Sequence, residues 1–213
     1  VLSQQSVFLG LANGGLAHFA VLLPDMPDPE GDWLEGDATF GDLRQLGPVM
    51  KPHDAGLLAY ARGVSHWHAT HRFCGSCGAV TDSLNGGWLR RCSDSCCARQ
   101  HFPRTDPAII VRVLHSERIL LGRQASWPKN RYSVLAGFVE PGESLEEAVM
   151  REVLEEVGIH VADVQYRASQ PWPFPSSIMV GFWAHAKTFD IKIDNDELED
   201  ARWFTSEELR GFG

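Results

Sequence analysis

Residues 137–159 combine a glycine-containing loop with a segment rich in carboxylates. In a helix, Glu152, Glu155 and Glu156 stand at i, i+3 and i+4 and project from one face. Like charges packed this closely repel one another unless a cation lies between them. Carboxylate oxygens suit Mg²⁺ or Mn²⁺, which can neutralise a pyrophosphate and lower the pKa of a bound water. The spacing therefore favours metal-dependent phosphate chemistry over an ordinary solvated acidic face.

Local signals set the ends of the helix that must carry these carboxylates. Pro141-Gly142 predicts a turn, and Ser144 with Glu147 three residues later predicts a capping box. Gly158 stands where a helix ends on a left-handed residue. We therefore expect a helix over 145–157. Its adjacent apolar face, which can dock on a sheet, is formed by Val149, Val153 and Val157.

This segment resembles the Nudix box, glycine-x5-glutamate-x7-arginine-glutamate-aliphatic-x-glutamate-glutamate-x-glycine-aliphatic. The resemblance implies an α/β fold, the Nudix α/β/α sandwich with a mixed sheet, and hydrolysis of a nucleoside diphosphate linked to another group. It implies that Glu152 and Glu156 bind metal, and that Glu155 binds metal or helps to activate water. Arg151 would orient the box by pairing with Glu143.

A second segment, Ser169 to Ser177, lies ten residues beyond the box. Its alternating prolines stiffen the chain and remove backbone donors, so Trp172 and Phe174 are held on a rigid strip that we expect to be a loop. Such a strip can stack a base or a nicotinamide ring. The alternative is a Pro-rich turn that packs its aromatic rings into the core. Composition alone leaves both interpretations open.

The same run resembles the Ser-Gln-Pro-Trp-Pro-Phe-Pro signature of the NADH pyrophosphatase branch of Nudix enzymes. The branch implies cleavage of the pyrophosphate of NAD(H) to nicotinamide mononucleotide and AMP. It also implies removal of NAD caps from RNA 5′ ends. The residues that would line the substrate are Gln170, Pro171, Trp172, Pro173, Phe174, Pro175, Ser176 and Ser177.

Further roles carry over from the branch by position. Phe138 would stack on the nicotinamide, and the backbone carbonyl of Ala136 would reach a metal. Glu197 matches a further metal ligand, although without the resemblance it would be taken for a surface acid. Phe102 would lie near the ligand, reaching across a homodimer, and Arg44 resembles a substrate-contacting arginine.

All five cysteines fall between Cys74 and Cys97, which favours a metal site over a disulfide framework. Cys74 and Cys77 form the first half of a zinc knuckle, and Cys92 begins the second half. Four thiolates at this spacing form a closed structural Zn²⁺ site. The branch has such a zinc ribbon, and counting back from Phe102 makes Cys97 the fourth ligand, with a two-residue insertion. Cys96 is the alternative.

The pattern along the chain predicts three parts. Residues 1–72 form an N-terminal α+β domain, with a hairpin through Asn13-Gly14, a loop over 25–42 and a helix over 54–70; we expect its start to be missing. Residues 73–104 form the zinc ribbon, and 105–213 the Nudix domain. Its predicted strands are 109–114, 119–123, 134–139, 161–168, 178–187 and 201–204.

The formal charge of −9 means that bulk charge does not attract phosphates, so divalent cations must supply the positive field. No apolar run is long enough to span a bilayer, and the N-terminus does not have the pattern of a signal peptide, so we expect a cytoplasmic protein. Two other functions are considered. One is a broader dinucleotide or ADP-ribose pyrophosphatase; the other is a non-catalytic nucleotide-sensing module, which an incomplete box would have favoured.

Overall fold

A computed structural model describes residues 6–22, 41–193 and 197–211. The chain divides into two compact units, Val1–Thr105 with Trp172–Ser176, and Asp106–Pro171 with Ser177–Gly213. The predicted loop over 25–42 lies outside the described residues except for its last two positions. Within the described ranges, no helix is long and apolar enough to cross a membrane.

The first unit begins with the predicted hairpin, in which β1 (Ser6–Leu11) and β2 (Ala17–Val21) pair antiparallel. Helix α1 (Leu43–Leu46) and a 3-10 turn (Gly47–Val49) precede the long helix α2 (Pro52–Thr70). The helix packs on the hairpin because Val64 and Trp67 share a buried cluster with Val7. The predicted helix over 54–70 is thus confirmed, and it begins two residues earlier, at Pro52.

The cysteine segment forms a small three-stranded antiparallel sheet, β3 (Thr81–Leu84), β4 (Leu89–Cys92) and β5 (Gln100–His101). A buried polar network joins it to α2. Arg90 donates from Nη1 to Nδ1 of His68 (2.8 Å), so the Nε2–H of His68 donates to the carbonyl of Gly87 (2.8 Å). Burial lowers the pKa of His68, so this imidazole is neutral and both ring nitrogens are satisfied.

The second unit is built on a mixed sheet in the order β11-β7-β6-β10-β9, with β8 also paired to β6. Parallel pairing joins β6 to β10, and the pairs of β6 with β7 and β8 are antiparallel. The strands are β6 (Asp106–His115), β7 (Arg118–Arg123), β8 (Leu135–Phe138), β9 (Val161–Trp172), β10 (Ser177–Ala186) and β11 (Asp200–Thr205).

Helix α3 (Leu145–Val157) covers one face of this sheet, and a short helix α4 (Ser206–Arg210) follows β11. Alternate residues of β6 (Ile109, Val111 and Val113) are fully buried, as the period of a strand requires. The matching face of α3, with zero exposure, is formed by Val149, Val153 and Val157. The predicted apolar face of the helix and the predicted mixed sheet are therefore confirmed.

One element differs from the prediction. Strand β9 was expected to end at residue 168, before the proline-rich run, but it continues to Trp172. Pro171 has no N–H to donate, yet β9 is the last strand in the sheet order, and an edge strand tolerates proline where the missing donor would face solvent. The first half of the run is thus extended strand rather than loop.

Candidate active site

The predicted capping box holds the start of α3. Ser144 accepts from the backbone N–H of Glu147, and the Glu147 carboxylate accepts from the N–H of Ser144 (2.8 Å). At the other end Gly158 adopts a left-handed conformation with φ 68°. Because both ends are fixed, the turns that carry Glu152 and Glu156 have one orientation against the sheet.

Arg151 organises the loop and the helix together. It donates from Nε and Nη2 to both oxygens of Glu143 (2.6 and 2.9 Å) and from Nη2 to the carbonyl of Phe138 (2.9 Å). Its Nη1 donates to Glu152 and to Glu155, each at 3.0 Å. All five N–H donors of the guanidinium are thus used. Hydrogen bonding to Arg151 lowers the pKa of Glu143, and the pair raises the pKa of Arg151.

Burial and neighbouring carboxylate charges raise the pKa of two glutamates on α3. Burial raises the pKa of Glu156 to about 8, and the charges of Glu152 and Glu197 add to this. Burial also raises the pKa of Glu152, with the charges of Glu155 and Glu197 acting in the same direction. Glu197 lies about forty residues after Glu156 in the sequence, and the fold brings its charge within reach of both helix carboxylates. Glu155 differs, because 59% of its side chain is exposed and it pairs with Arg151.

Glu156 leaves a buried acceptor unused. Only 8% of the residue is exposed, and its Oε2 is buried with no hydrogen-bond partner among the described residues. A carboxylate oxygen stripped of water without a partner is costly. Together with the carboxylates of Glu152 and Glu197, it forms an all-oxygen donor set that fits a divalent cation such as Mg²⁺ or Mn²⁺.

These carboxylates do not yet converge as tightly as a bound ion would require. Among the described residues, the one group of three or more His, Cys, Asp or Glu side chains that could hold a metal ion is formed by cysteines, whose sulfurs lie within 4.8 Å of one another. Repulsion between the glutamates and the hold of Arg151 on Glu152 both oppose closer approach. A cation would remove the first of these two obstacles.

Gly137 lets Glu152 reach its place. A Cβ on this glycine would lie 1.9 to 2.2 Å from the carboxylate atoms of Glu152. The two neighbours of Gly137 on β8, Ala136 and Phe138, are exposed, Phe138 by 60%. Because Gly137 has no side chain, the carboxylate of Glu152 can lie close to strand β8.

The cysteine cluster is closed by Cys97. The sulfurs of Cys74 and Cys97 are 3.8 Å apart, those of Cys77 and Cys92 are 3.4 Å apart, and all four lie within 4.8 Å. Tetrahedral Zn–S bonds of about 2.3 Å require sulfurs roughly 3.8 Å apart. Cys96 is exposed and lies outside the cluster, with its N–H donated to Asp94 (2.8 Å).

The electrostatics of the cluster also suit a cation. Hydrogen bonds, first from the backbone N–H of Ser76, lower the pKa of the Cys74 thiol to about 5, so this sulfur is readily a thiolate. Burial raises the pKa of Cys92 to about 12, so it requires a positive charge nearby to ionise. A divalent metal supplies that charge, and four thiolates leave no position for water.

The proline-rich strip lies in two places. Gln170 and Pro171 are exposed residues of β9 in the second unit, and Ser177 is buried at the start of β10. The central part, Trp172–Ser176, belongs to the first unit, where the rings of Trp172 and Phe174 meet edge to face at 5.3 Å. Phe102 also belongs to the first unit and is 60% exposed.

Sequence reasoning missed one residue of this region. Arg62 donates from Nε to the carbonyl of Pro173 (2.8 Å), and its guanidinium lies 5.1 Å from the centre of the Phe174 ring. A single arginine on a helix of ordinary composition carries no local signal of such a contact. Arg44, which the resemblance did single out, lies over the rings of Trp172 and Phe174 at 5.3 and 5.7 Å.

The mixed sheet, the capped helix and its glutamate cluster define an α/β domain of the Nudix class. A model described as the NUDIX domain matches residues 103–212, just over half of the chain. A model described as the NADH pyrophosphatase-like rudimentary NUDIX domain matches residues 2–67. The chain therefore belongs to the Nudix family.

Known proteins similar to this chain extend the comparison. The NAD-capped RNA hydrolase NUDT12 of Homo sapiens is 46% identical over 168 residues, which are 75% of this chain and 36% of that protein. The NAD-capped RNA hydrolase NudC of Mycobacterium bovis is 41% identical over 208 residues, 97% of this chain and 65% of that protein. The chain thus spans less than two thirds of the length of these relatives.

A solved structure shares the fold. The crystal structure of a NUDIX hydrolase from Nitrosomonas europaea aligns with a TM-score of 0.52 at 24% identity, covering 64% of this chain and 79% of that one. At this identity the likeness concerns the fold alone. It agrees with the predicted Nudix sheet and helix.

Proposed function

We propose that this protein hydrolyses the pyrophosphate bond of NAD(H), giving nicotinamide mononucleotide and AMP, and removes NAD caps from RNA 5′ ends. The observation that carries the proposal is the buried Oε2 of Glu156, on the box helix of a Nudix chain, which has no hydrogen-bond partner among the described residues and feels the charges of Glu152 and Glu197. The names of the relatives and the NADH pyrophosphatase-like match over residues 2–67 support the dinucleotide substrate.

Glu152, Glu156 and Glu197, with the Ala136 carbonyl, would hold Mg²⁺ or Mn²⁺. When bound, these ions would neutralise charge on the pyrophosphate and lower the pKa of a water. Water adds to one phosphorus, the bond from that phosphorus to the bridging oxygen breaks, and the leaving phosphate keeps the electron pair. Arg151 keeps Glu152 and Glu155 in place by hydrogen bonds of 3.0 Å to each, and Glu143 anchors the guanidinium. Glu155 is assigned to metal binding or to the proton of the attacking water.

The strip from Gln170 to Ser177 with Phe102 and Phe138 would line the dinucleotide. Zn²⁺ would occupy the four sulfurs that include Cys97, in a structural role. We further propose the division into domains at 1–72, 73–104 and 105–213, a homodimer, and a cytoplasmic location, the last because the cysteines are free and grouped for metal.

A product assay tests the reaction. The purified chain is incubated with NADH, ADP-ribose, a diadenosine pyrophosphate and NAD-capped RNA, each with Mg²⁺, Mn²⁺ or chelator, and the nucleotides are separated by chromatography. We expect metal-dependent release of AMP and reduced nicotinamide mononucleotide from NADH, with the highest kcat/KM among the free nucleotides tested. Equal kcat/KM for ADP-ribose would favour the broader pyrophosphatase. No AMP under any condition would leave a non-catalytic nucleotide-binding module.

Substitution of Gly137 by Ala tests the position of Glu152. The new methyl would overlap the Glu152 carboxylate, which is the end of a flexible side chain and can move aside at little cost in stability. We expect metal-dependent kcat to fall by about 100-fold, as small misplacements in active sites do, while the melting temperature stays within a few degrees. Gly56→Ala is the matched control, because a Cβ there meets nothing within 4 Å. Equal activity of the two variants would contradict this account.

A further inference from the structure

Beyond the end of β9 at Trp172, the proline-rich strip has few backbone donors. Pro171, Pro173 and Pro175 have no N–H to donate, and the N–H of Phe174 donates within the strip to the carbonyl of Trp172 (2.8 Å). A segment with so few donors gains little from a hydrogen-bonded ladder. The position of the part that follows β9, with the ring of Phe174, therefore depends on side chains that reach it from elsewhere in its unit.

Helix α2 supplies such a contact at the centre of the strip. Pro173 is buried, and its carbonyl accepts from Nε of Arg62 at 2.8 Å. A charged donor makes this bond stronger than one between neutral groups. A Cβ on the next helix residue, Gly63, would lie 3.9 Å from the Cβ of Pro173, so the proline ring rests against the helix surface. The middle of the strip is thus seated on α2.

The same arginine also fixes a ring. Its guanidinium lies 5.1 Å from the centre of Phe174, within the range of a cation–π contact, and Phe174 in turn meets Trp172 edge to face at 75°. Within the described ranges, no carboxylate lies in ion-pair distance of Arg62. Arg62 is therefore committed to the strip through two contacts and not to an acidic neighbour.

We propose that Arg62 is a positioning residue for dinucleotide binding: it holds the carbonyl of Pro173 and the ring of Phe174 so that the strip presents its aromatic faces in one arrangement. This inference rests on the proposed function, which assigns the strip to the substrate. Arg62 acts through the strip and need not touch the dinucleotide. Because it organises a surface used equally in the ground state and the transition state, its loss acts on KM and leaves kcat nearly unchanged.

The test compares Arg62→Met, Arg62→Lys and the control Arg72→Met in the full chain. Methionine keeps an apolar stem but has no donor, lysine keeps the charge and a donor, and Arg72 is exposed in the same unit. For Arg62→Met we expect KM for NADH to rise about tenfold and kcat to stay within about twofold, the loss expected for one charge-assisted bond. The KM of Arg62→Lys should lie between those of Arg62→Met and the wild type. Arg72→Met should have the KM and kcat of the wild type.

Two further measurements separate positioning from general destabilisation. Amide hydrogen exchange should quicken at Trp172 and Phe174 in Arg62→Met, with α3 unchanged. In a double-mutant cycle, Phe174→Leu should raise KM as Arg62→Met does, and the KM of the double variant should be little higher than that of either single variant. A fully additive cycle, or unchanged exchange at the strip, overturns the inference. So does a wild-type KM in Arg62→Met, whereas a wild-type protein that leaves NADH intact overturns the proposed function first.

Discussion

Glu156→Gln should lower kcat for NADH by at least about a thousandfold and at the same time make the metal-free protein more stable above neutral pH. The loss follows because glutamine cannot supply the charged oxygen that a cation requires, and transition-state stabilisation by metal is worth several kcal/mol. The gain follows because the side chain is 8% exposed and its Oε2 has no hydrogen-bond partner among the described residues. The same substitution should thus lower catalytic activity and raise the stability of the metal-free protein.

The sign of the stability change follows from the pKa. In the unfolded chain this carboxyl ionises at about pH 4.3, whereas in the folded protein burial and two neighbouring carboxylates raise the pKa to about 8. Its contribution to stability is fully present below the unfolded pKa and is lost as pH rises through the folded pKa. At about pH 8.5 in chelator, Glu156→Gln should therefore exceed the wild type by on the order of 2–4 kcal/mol.

Urea unfolding at about pH 4 and about pH 8.5, with chelator or with Mn²⁺, measures this difference in the free energy of unfolding between Glu156→Gln and the wild type. The variant and the wild type should be close at the lower pH. At the higher pH Mn²⁺ should stabilise the wild type much more than the variant, because binding to the folded state adds to its free energy of unfolding. Glu155→Gln is the matched control, since this exposed side chain should change the metal-free stability little. A variant with near wild-type turnover would contradict the assignment of Glu156.

Cys97→Ser should remove zinc from the protein, and Cys96→Ser should not. Only Cys97 brings its sulfur to those of Cys74, Cys77 and Cys92. A structural zinc site contributes folding free energy directly, on the order of 10 kcal/mol in small zinc-binding peptides. Loss of one ligand should therefore reduce zinc affinity by well over about 100-fold and unfold the ribbon strands.

Elemental analysis of the purified variants, with circular dichroism melting, distinguishes the two neighbours. Wild type and Cys96→Ser should each retain one zinc per chain and melt together, and Cys97→Ser should lose both the zinc and the cooperative melting of the ribbon. The adjacent serine variants match in chemistry and differ only in position. Zinc loss in Cys96→Ser with retention in Cys97→Ser would reverse the assignment.

Local structure was predictable because its causes are local. The capping box of Ser144 and Glu147, the left-handed Gly158 and the valine spacing predicted α3 over 145–157, and the structure has the helix there. Each of these signals depends on residues that are only a few positions apart, so a short stretch of sequence is enough to recognise it. The proline-rich run shows the limit, since propensity indicated a loop and edge pairing extended β9 to Trp172.

By itself the sequence determined the family, the box, the helix that carries it and three of the four clustered cysteines, because each is set by spacing within a short segment. Tertiary structure alone decided that the charge of Glu197 acts on Glu156, that burial raises the pKa of Glu156 to about 8, and that Cys97 rather than Cys96 closes the cluster. The tertiary structure also brought Arg62 to the proline-rich strip, where it donates to the carbonyl of Pro173. These features depend on desolvation and on contacts between segments far apart in the chain, which no local pattern contains.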